Sequence, residues 1–220
     1  MPGRKGRIGL IVPANNAAIE YDFWKMVPEG ITVHSTRMPS VKGDEPYSEY
    51  EISKFKSDLQ SAIALVDKVS DAIVYGRTYG SRYHSNIIKS FPKKIILPEE
   101  EAINKLKSKD ANRIYMISPY NRRRTANTIR FFESNAIHVS GYVYMNRISG
   151  VDISNTEPKY LRKLIDEALD SSGNFDAIYI ASTALSTYWI KDYANNKGKL
   201  IVTENIAAFE GTLRVLEHIE

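Results

Sequence analysis

The chain contains no cysteine among its 220 residues. This absence excludes disulfides, thiolate metal sites and thiol nucleophiles. No apolar run approaches the roughly 18 residues that a membrane-spanning helix requires. The basic segment at residues 1–7 runs straight into a short apolar strand, which is not the composition of a signal peptide. We therefore expect a cytoplasmic protein that does not associate with membranes.

Several ligand-binding signatures are also missing. No glycine-rich dinucleotide fingerprint follows the first predicted strand, no phosphate-loop lysine motif is present, and the His, Asp and Glu residues lack zinc spacing. We expect no cofactor and no metal. The formal net charge of +4 is modest for this length and favours small anions over nucleic acid as ligands. A basic patch interleaved with aromatic residues, which would stack bases, is absent.

What the chain does contain is an internal repeat. Residues 71–83 align with 176–188 at a shift of 105, and six of the thirteen positions are identical. The same shift aligns 94–97 with 199–202, and a shift of 106 aligns the first apolar run with 113–119. Three blocks in the same order at nearly one spacing indicate a duplicated structural unit.

Apolar runs rich in branched residues alternate with amphipathic segments, which is typical of successive strand–helix units around parallel sheets. We predict an α/β protein with two pseudo-symmetric lobes, each a four-stranded parallel sheet flanked by helices, and a ligand cleft between them. The first lobe would span 1–109 and the second 110–204, and the helix within 205–220 would pack back onto the first lobe or across the interface. The predicted strands are 7–13, 31–38, 71–77, 94–98, 113–118, 138–145, 175–181 and 199–203, and the predicted helices are 16–27, 48–68, 82–91, 100–109, 121–135, 157–171, 187–196 and 205–219.

Two segments near predicted strand ends allow more than one interpretation. The loop from Pro39 to Tyr47 is the longest irregular piece of the first half, and it is either a lid or a solvated connector. The run Arg122–Arg124 stands at a predicted helix start, where the helix dipole disfavours cations. It therefore either faces an anion or an acidic partner surface, or it is simply solvated.

Polar residues collect after four of the predicted strands. Ligands of parallel α/β sheets bind beyond the carboxyl ends of the strands, where helix N-termini favour negative charge. Hydroxyl and amide donors at these positions point to carboxylate recognition, and they could stabilise an enediolate. Ser, Thr and Asn are also common helix caps at such turns, and only the coincidence of these residues at four related positions favours a site. The candidate ligand-binding residues are Asn16, Thr78, Ser81, Tyr120 and Thr183.

The segments that carry these residues resemble the maleate cis-trans isomerase and arylmalonate decarboxylase group of the aspartate/glutamate racemase superfamily. The resemblance implies a carboxylate held between two α/β lobes, no cofactor or metal, and a homodimer or larger homo-oligomer. Asn16 matches an asparagine after the first strand, Thr78 a hydroxyl donor, and Tyr120 a tyrosine that contacts a substrate carboxylate. The matching segments, in the family's order, are 9–20, 73–81, 117–120 and 180–183.

The two thiol positions of that family fall on Arg77 and Ser182, so both thiols are substituted. A serine hydroxyl is far less acidic than a thiol and needs an adjacent base. Arg77 would either bind a carboxylate through two parallel hydrogen bonds or pair with an acidic residue of Glu99–Glu101. His84 is the histidine nearest the predicted cleft, although a lone histidine at a helix start is more often a surface residue. Ser182 and Arg77 are the candidate catalytic residues.

These observations predict a maleate isomerase-like protein that binds a small mono- or dicarboxylate between its lobes. Its expected chemistry is cofactor-independent isomerisation or decarboxylation next to a carboxylate, with Ser182 as a proton relay. Thr78, Tyr120 and Asn16 would stabilise the developing negative charge. The alternative is a non-catalytic carboxylate sensor or scaffold that has lost the thiol chemistry. Nucleic-acid binding through Arg122–Arg124 is a weaker third hypothesis.

Overall fold

The computed structural model describes residues 2–39, 47–171, 173–195 and 197–218. The loop that we considered as a lid lies mostly outside these residues, because 40–46 are not among them. The first half comprises β1 (Gly6–Pro13), α1 (Ile19–Met26), β2 (Ile31–Met38), α2 (Glu49–Val66), β3 (Ala72–Tyr75), α3 (Ser85–Lys89), β4 (Ile95–Ile96) and α4 (Pro98–Lys107). The second half comprises β5 (Arg113–Ser118), α5 (Arg122–Ser134), β6 (His138–Tyr144), α6 (Gly150–Ser154), α7 (Pro158–Asp170), β7 (Ala177–Ile180), α8 (Ile190–Asn195), β8 (Leu200–Thr203) and α9 (Glu204–Glu217).

The strands form two parallel sheets of four strands each, which confirms the predicted fold class. The strand orders are β2-β1-β3-β4 and β6-β5-β7-β8, so the two halves share one topology. A repeated hydrogen bond marks the duplication. Asp71 Oδ2 accepts from the Arg7 backbone N–H, and Asp176 Oδ2 accepts from the Arg113 backbone N–H, each at 2.8 Å.

Alternating side chains of β1 supply two separate cores in the first lobe. Leu10 packs with Phe23 of α1 on one face of the sheet. Ile11 packs with Phe55 and Leu59 of α2 on the other face. Helices therefore cover both faces, which is why β3 and most of β1 are buried and apolar, whereas the edge strand β2 carries exposed polar residues.

Helix α9 connects the lobes. It begins directly after the last strand of the second sheet, yet its side chains pack into the core of the first lobe. Phe209 meets Phe23 edge to face, with ring centroids 5.4 Å apart, and Leu216 joins the same cluster. The first residue of α9, Glu204, is consequently placed at the junction between the lobes.

A buried carboxylate also links the lobes. Asp22 of α1 accepts hydrogen bonds from Ser186 Oγ at 2.7 Å, the Thr187 N–H at 2.6 Å and Asn205 Nδ2 at 2.7 Å. Burial raises the pKa of Asp22, and these hydrogen bonds oppose the rise. Because every donor comes from the second half or from α9, Asp22 fixes one lobe against the other.

Some boundaries differ from the prediction for local reasons. Helix α1 starts at Ile19 rather than at 16, because the Asn16 side chain folds back over this start and its Oδ1 accepts from the backbone N–H groups of Ala18 and Ile19. The predicted helix 82–91 begins as a 3₁₀ turn after Gly80, whose φ is 89°. Helix α6 was not predicted, since five residues carry no clear periodicity. Across the described helices, none has the length and apolarity needed to span a membrane.

Candidate functional site

A cavity of about 280 Å³ lies between the lobes at the carboxyl ends of β1, β3, β5 and β7. It is the place where the sequence predicts a ligand, because the corresponding strand ends of the two halves face each other there. The loop that leads into α6 closes one side. The residues lining the cavity are Pro13, Asn15, Asn16, Arg77, Thr78, Tyr79, Tyr120, Arg124, Arg147, Ile148, Ser149, Gly150, Ile153, Ser182, Thr183 and Ala184.

Six of the seven candidate residues line this cavity, and Ser81 is the exception. Ser81 follows Thr78 by three residues, and its hydroxyl donates to the Thr78 carbonyl at 2.6 Å. It is buried and stabilises the turn that carries Thr78 rather than facing the cavity. The candidate residues that line the cavity are Asn16, Arg77, Thr78, Tyr120, Ser182 and Thr183.

Thr78 and Thr183 join the two lobes at the floor of the cavity. The Thr183 backbone N–H donates to Thr78 Oγ1 at 2.9 Å, and Thr183 Oγ1 donates to the carbonyl of Gly76, also at 2.9 Å. Asn16 Nδ2 donates to Thr183 Oγ1 at 3.0 Å. Since Asn16 Oδ1 already caps α1, both ends of its amide are occupied by protein. Asn16 therefore positions Thr183 in this structure.

Ser182 has a left-handed backbone conformation, with φ of 88°. Residues other than glycine adopt this conformation at a steric cost. The conformation directs the Ser182 N–H to Glu204 Oε1 at 3.0 Å, while Ser182 Oγ accepts from the Ala184 N–H at 3.2 Å. The cavity lining thus contains a strained residue after β7.

Glu204 is the important residue that sequence reasoning missed. Its side chain is fully buried and contacts Thr78 Oγ1 and the Tyr179 hydroxyl through short hydrogen bonds. Burial raises the pKa of Glu204; the hydrogen bonds from Thr78, Tyr179 and the Ser182 N–H, and the charge of Arg82, act in the opposite direction. An acidic residue in the first turn of a helix is ordinary, so the sequence carries no signal for this burial.

Tyr120 lies beside this carboxyl group and keeps its proton. Its side chain is 5% exposed, and burial, together with the negative charge of Glu204 and Glu99, raises its pKa. Interactions with the Ser182 and Thr78 side chains lower the pKa in part. Tyr120 is therefore a hydrogen-bond donor at neutral pH.

Three arginine side chains border the cavity. Arg77 Nε donates to the Tyr79 carbonyl at 3.0 Å, and Arg124 lies over the Tyr79 ring, 5.1 Å from its centroid. Arg147 pairs with Asp152 at 3.1 Å. Of the run at the start of α5, Arg124 faces the cavity, whereas Arg122 and Arg123 are exposed.

The remaining charged candidates lie outside the cavity lining. Glu99, Glu100 and Glu101 pair with Arg82, Lys89 and Arg214, respectively. His84 is buried rather than on the surface, and its ring stacks on Phe55 with centroids 4.2 Å apart. Burial and the nearby charge of Arg77 lower the pKa of His84. Within the described residues, no three His, Asp or Glu side chains form a group suited to a metal ion.

In sequence comparisons, no protein-family model matches the chain, and no curated protein matches it. Solved structures do match its fold. Maleate isomerase Iso from Pseudomonas putida S16, determined with maleate as a cysteine-to-alanine variant, has a TM-score of 0.75 and 20% identity, and the match covers 96% of this chain and 92% of that one.

Two further structures give the same result. Maleate cis-trans isomerase from Nocardia farcinica, a cysteine-to-serine variant with a covalently bound succinylcysteine intermediate, has a TM-score of 0.78 at 17% identity, covering 96% of this chain and 92% of that one. A liganded variant of arylmalonate decarboxylase has a TM-score of 0.75 at 13% identity, covering 98% and 93%. The chain therefore shares the fold of the maleate isomerases and arylmalonate decarboxylase.

Proposed function

We propose that the protein binds a small mono- or dicarboxylate in the cavity between its lobes. The observation that carries this proposal is the convergence of uncharged donors and cations from both halves on one small cavity. Thr78 and Arg77 come from the first lobe, and Tyr120, Arg124 and Arg147 come from the second. A volume of about 280 Å³ suits a ligand of a few carbon atoms.

The charge of the cavity supports an anionic ligand. A guanidinium group can bind a carboxylate through two parallel hydrogen bonds, and it stays charged at any physiological pH. Burial raises the pKa of Glu204 and brings that of Glu99 to about 8, and both shifts act against negative charge on the buried carboxyl groups near the cavity. Arg77 and Arg124 contribute positive charge at the cavity, where Arg147 is paired with Asp152.

The chemistry that this site supports is cofactor-independent isomerisation or decarboxylation next to a carboxylate. In decarboxylation, the bond between the α carbon and one carboxylate breaks, carbon dioxide leaves, and the electron pair passes into the remaining carboxylate as an enediolate. Tyr120 and Thr78 would donate hydrogen bonds to its oxygens. Ser182 would relay the proton that the α carbon takes up from water. An isomerisation through loss and return of an α proton uses the same enediolate.

A non-catalytic carboxylate sensor or scaffold is the second candidate. It is favoured by Arg77, which lines the cavity at a position that the family resemblance assigns to a thiol. A permanent cation there binds an anion but does not attack it. Arg77→Cys separates the two candidates: a sensor loses affinity, and regained reactivity toward a carboxylate would show that the arginine had replaced the nucleophile.

Calorimetric titration with maleate tests the proposed binding, and uncharged maleamide is the matched control ligand. Saturable binding of maleate alone supports the proposal, whereas equal affinity for both compounds contradicts it. Catalysis is tested in heavy water by NMR, which follows deuterium uptake at the α carbon of succinate and of an arylmalonate. We expect Ser182→Ala to slow the exchange, and indistinguishable rates would remove Ser182 from the mechanism.

Assembly as a homodimer or larger homo-oligomer is a further prediction from the family resemblance, as is a cytoplasmic location. Sedimentation equilibrium tests the first directly. A mass equal to that of one chain at every concentration would contradict it.

A further inference from the structure

Glu204 has no role in the binding site described so far, although its carboxyl group lies directly beneath that site. It is fully buried, and it is linked to the cavity lining through the Thr78 hydroxyl and the Ser182 N–H. We propose that Glu204 is a positioning residue for the ligand: its carboxylic-acid form donates to Thr78 Oγ1 and thereby frees the Thr78 proton to bind a ligand carboxylate. This inference rests on the proposed function.

The donor and acceptor sites of the Thr78 hydroxyl support the proposal. A hydroxyl group has one proton and two acceptor sites, and one acceptor site of Thr78 Oγ1 is filled by the Thr183 N–H at 2.9 Å. If Glu204 is ionised, the Thr78 proton points at Glu204 Oε2. In that arrangement Thr78 has no proton left to donate to an anion.

Protonation of Glu204 reverses this arrangement. Glu204 Oε1 already accepts from the Tyr179 hydroxyl and from the Ser182 N–H at 3.0 Å, so an added proton belongs on Oε2. It then fills the second acceptor site of Thr78. The Thr78 proton is released and can point into the cavity, where a carboxylate oxygen accepts it.

The groups that face Glu204 make the acid form accessible. Tyr179 of β7 and Tyr120 after β5 are protonated and buried. Glu99, at the start of α4, repels a charge on Glu204, whereas Arg82, in the turn before α3, attracts one. The Arg82 guanidinium is itself paired with Glu99 at 2.9 Å. Burial outweighs these interactions and raises the pKa of Glu204.

The proposal predicts that carboxylate binding and the Glu204 proton are linked. Maleate affinity should fall by about tenfold for each pH unit above the ionisation of Glu204 in the unliganded protein. Glu204→Gln is the matched variant, because its amide oxygen can accept from Tyr179 and Ser182 while its NH₂ group donates to Thr78 permanently. In this variant the affinity at low pH should be retained and the loss at high pH should disappear.

The test combines calorimetry with infrared spectroscopy. Titration of the native protein with maleate in buffers of different protonation enthalpy counts the protons taken up, and it needs no variant. The infrared difference spectrum between the native protein and Glu204→Gln should contain a carboxylic-acid C=O band, and this band should vanish as the pH rises. Uptake of close to one proton per bound maleate supports the proposal, if it occurs at pH values above the midpoint of the pH titration of this band.

Three outcomes overturn it. The first is the absence of a Glu204 carboxylic-acid band at every pH at which maleate binds. The second is an equal pH dependence in the native protein and in Glu204→Gln. The third is a failure of maleate and the other carboxylates to bind although the band is present, which would refute the proposed function while showing that Glu204 holds a proton.

Discussion

Thr78 and Thr183 occupy equivalent positions in the two halves of the chain, 105 residues apart, and they are hydrogen-bonded to each other. The Thr183 N–H donates to Thr78 Oγ1 at 2.9 Å. The duplicated strand ends therefore meet rather than merely face a common space. This contact closes the floor of the cavity and places Glu204 beneath it.

Arg124, which lines the cavity, should contribute more to maleate affinity than Arg122, its exposed neighbour on the same helix. Arg124→Ala removes a cation that lines the cavity, and under the proposed function we expect maleate affinity to fall roughly 10–100-fold, the usual effect of losing a charge-assisted hydrogen bond. Arg122→Ala is the matched control, since this side chain is exposed. Calorimetry on both variants checks the difference, and equal losses would place the ligand elsewhere.

Two substitutions at Ser182 separate the effect of backbone strain on stability from the role of the hydroxyl group. Its φ of 88° is costly for serine and free for glycine, so Ser182→Gly should raise the free energy of unfolding by about 1 kcal/mol. Ser182→Ala keeps the strain and removes only the hydroxyl. Urea denaturation measures the first effect. If Ser182→Gly is no more stable than Ser182→Ala, the strain at this position is negligible.

The contact between α6 and the first lobe should tolerate no side chain at Gly150. A Cβ atom there would lie 2.5 Å from the Asn15 carbonyl oxygen, so Gly150→Ala must push α6 away from that lobe. We expect a loss of roughly 1–3 kcal/mol in unfolding free energy, together with weaker maleate binding. Gly173→Ala is the control, because its added Cβ would make only ordinary contacts.

Asp22 should contribute strongly to stability. Asp22→Ala leaves the buried donors of Ser186, Thr187 and Asn205 without their acceptor, and we expect a cost of roughly 2–4 kcal/mol in urea denaturation. Asp192→Ala removes an exposed carboxylate from α8 and should change the stability by less than about 0.5 kcal/mol. Similar losses in the two variants would show that Asp22 does not hold the lobes together.

The buried Glu99 predicts a pH dependence of stability. Burial raises its pKa from 4.5 to about 8 against the opposing charge of Arg82. A raised pKa favours the protonated form in the folded state, so this contribution is complete below about 4.5 and is lost as the pH rises through about 8. Native protein should lose unfolding free energy over that range relative to Glu99→Gln. Parallel denaturation curves at all pH values would contradict the assignment.

The sequence was informative where one local pattern determines the structure. Continuous apolar runs identified the strands, and the repeat indicated that their carboxyl ends would be equivalent. Polar residues after those ends, such as Thr78, Tyr120 and Ser182, therefore fall at one cavity. Whether they bind or react with a ligand stays a prediction.

The features that the sequence did not reveal depend on contacts between distant segments. Glu204 is buried because α9 crosses from the second sheet to the first lobe, and no local pattern encodes that crossing. Arg147 lies in the loop before α6, and Gly150 begins this helix of five residues, which is too short for a periodic signal. Ser81 looked like a ligand donor, but its hydroxyl satisfies the Thr78 carbonyl instead.

The crossing of α9 also constrains how the protein is made. Among the described elements, α9 leaves the ribosome after all the others, yet Phe209 and Leu216 complete a core that begins with Ile8 and Leu10. Synthesis proceeds at roughly 5–20 residues per second. The apolar surface that includes Ile8 and Leu10 therefore stays uncovered for seconds before α9 is made. This apolar surface of the first lobe is therefore open to contacts with other chains until α9 docks.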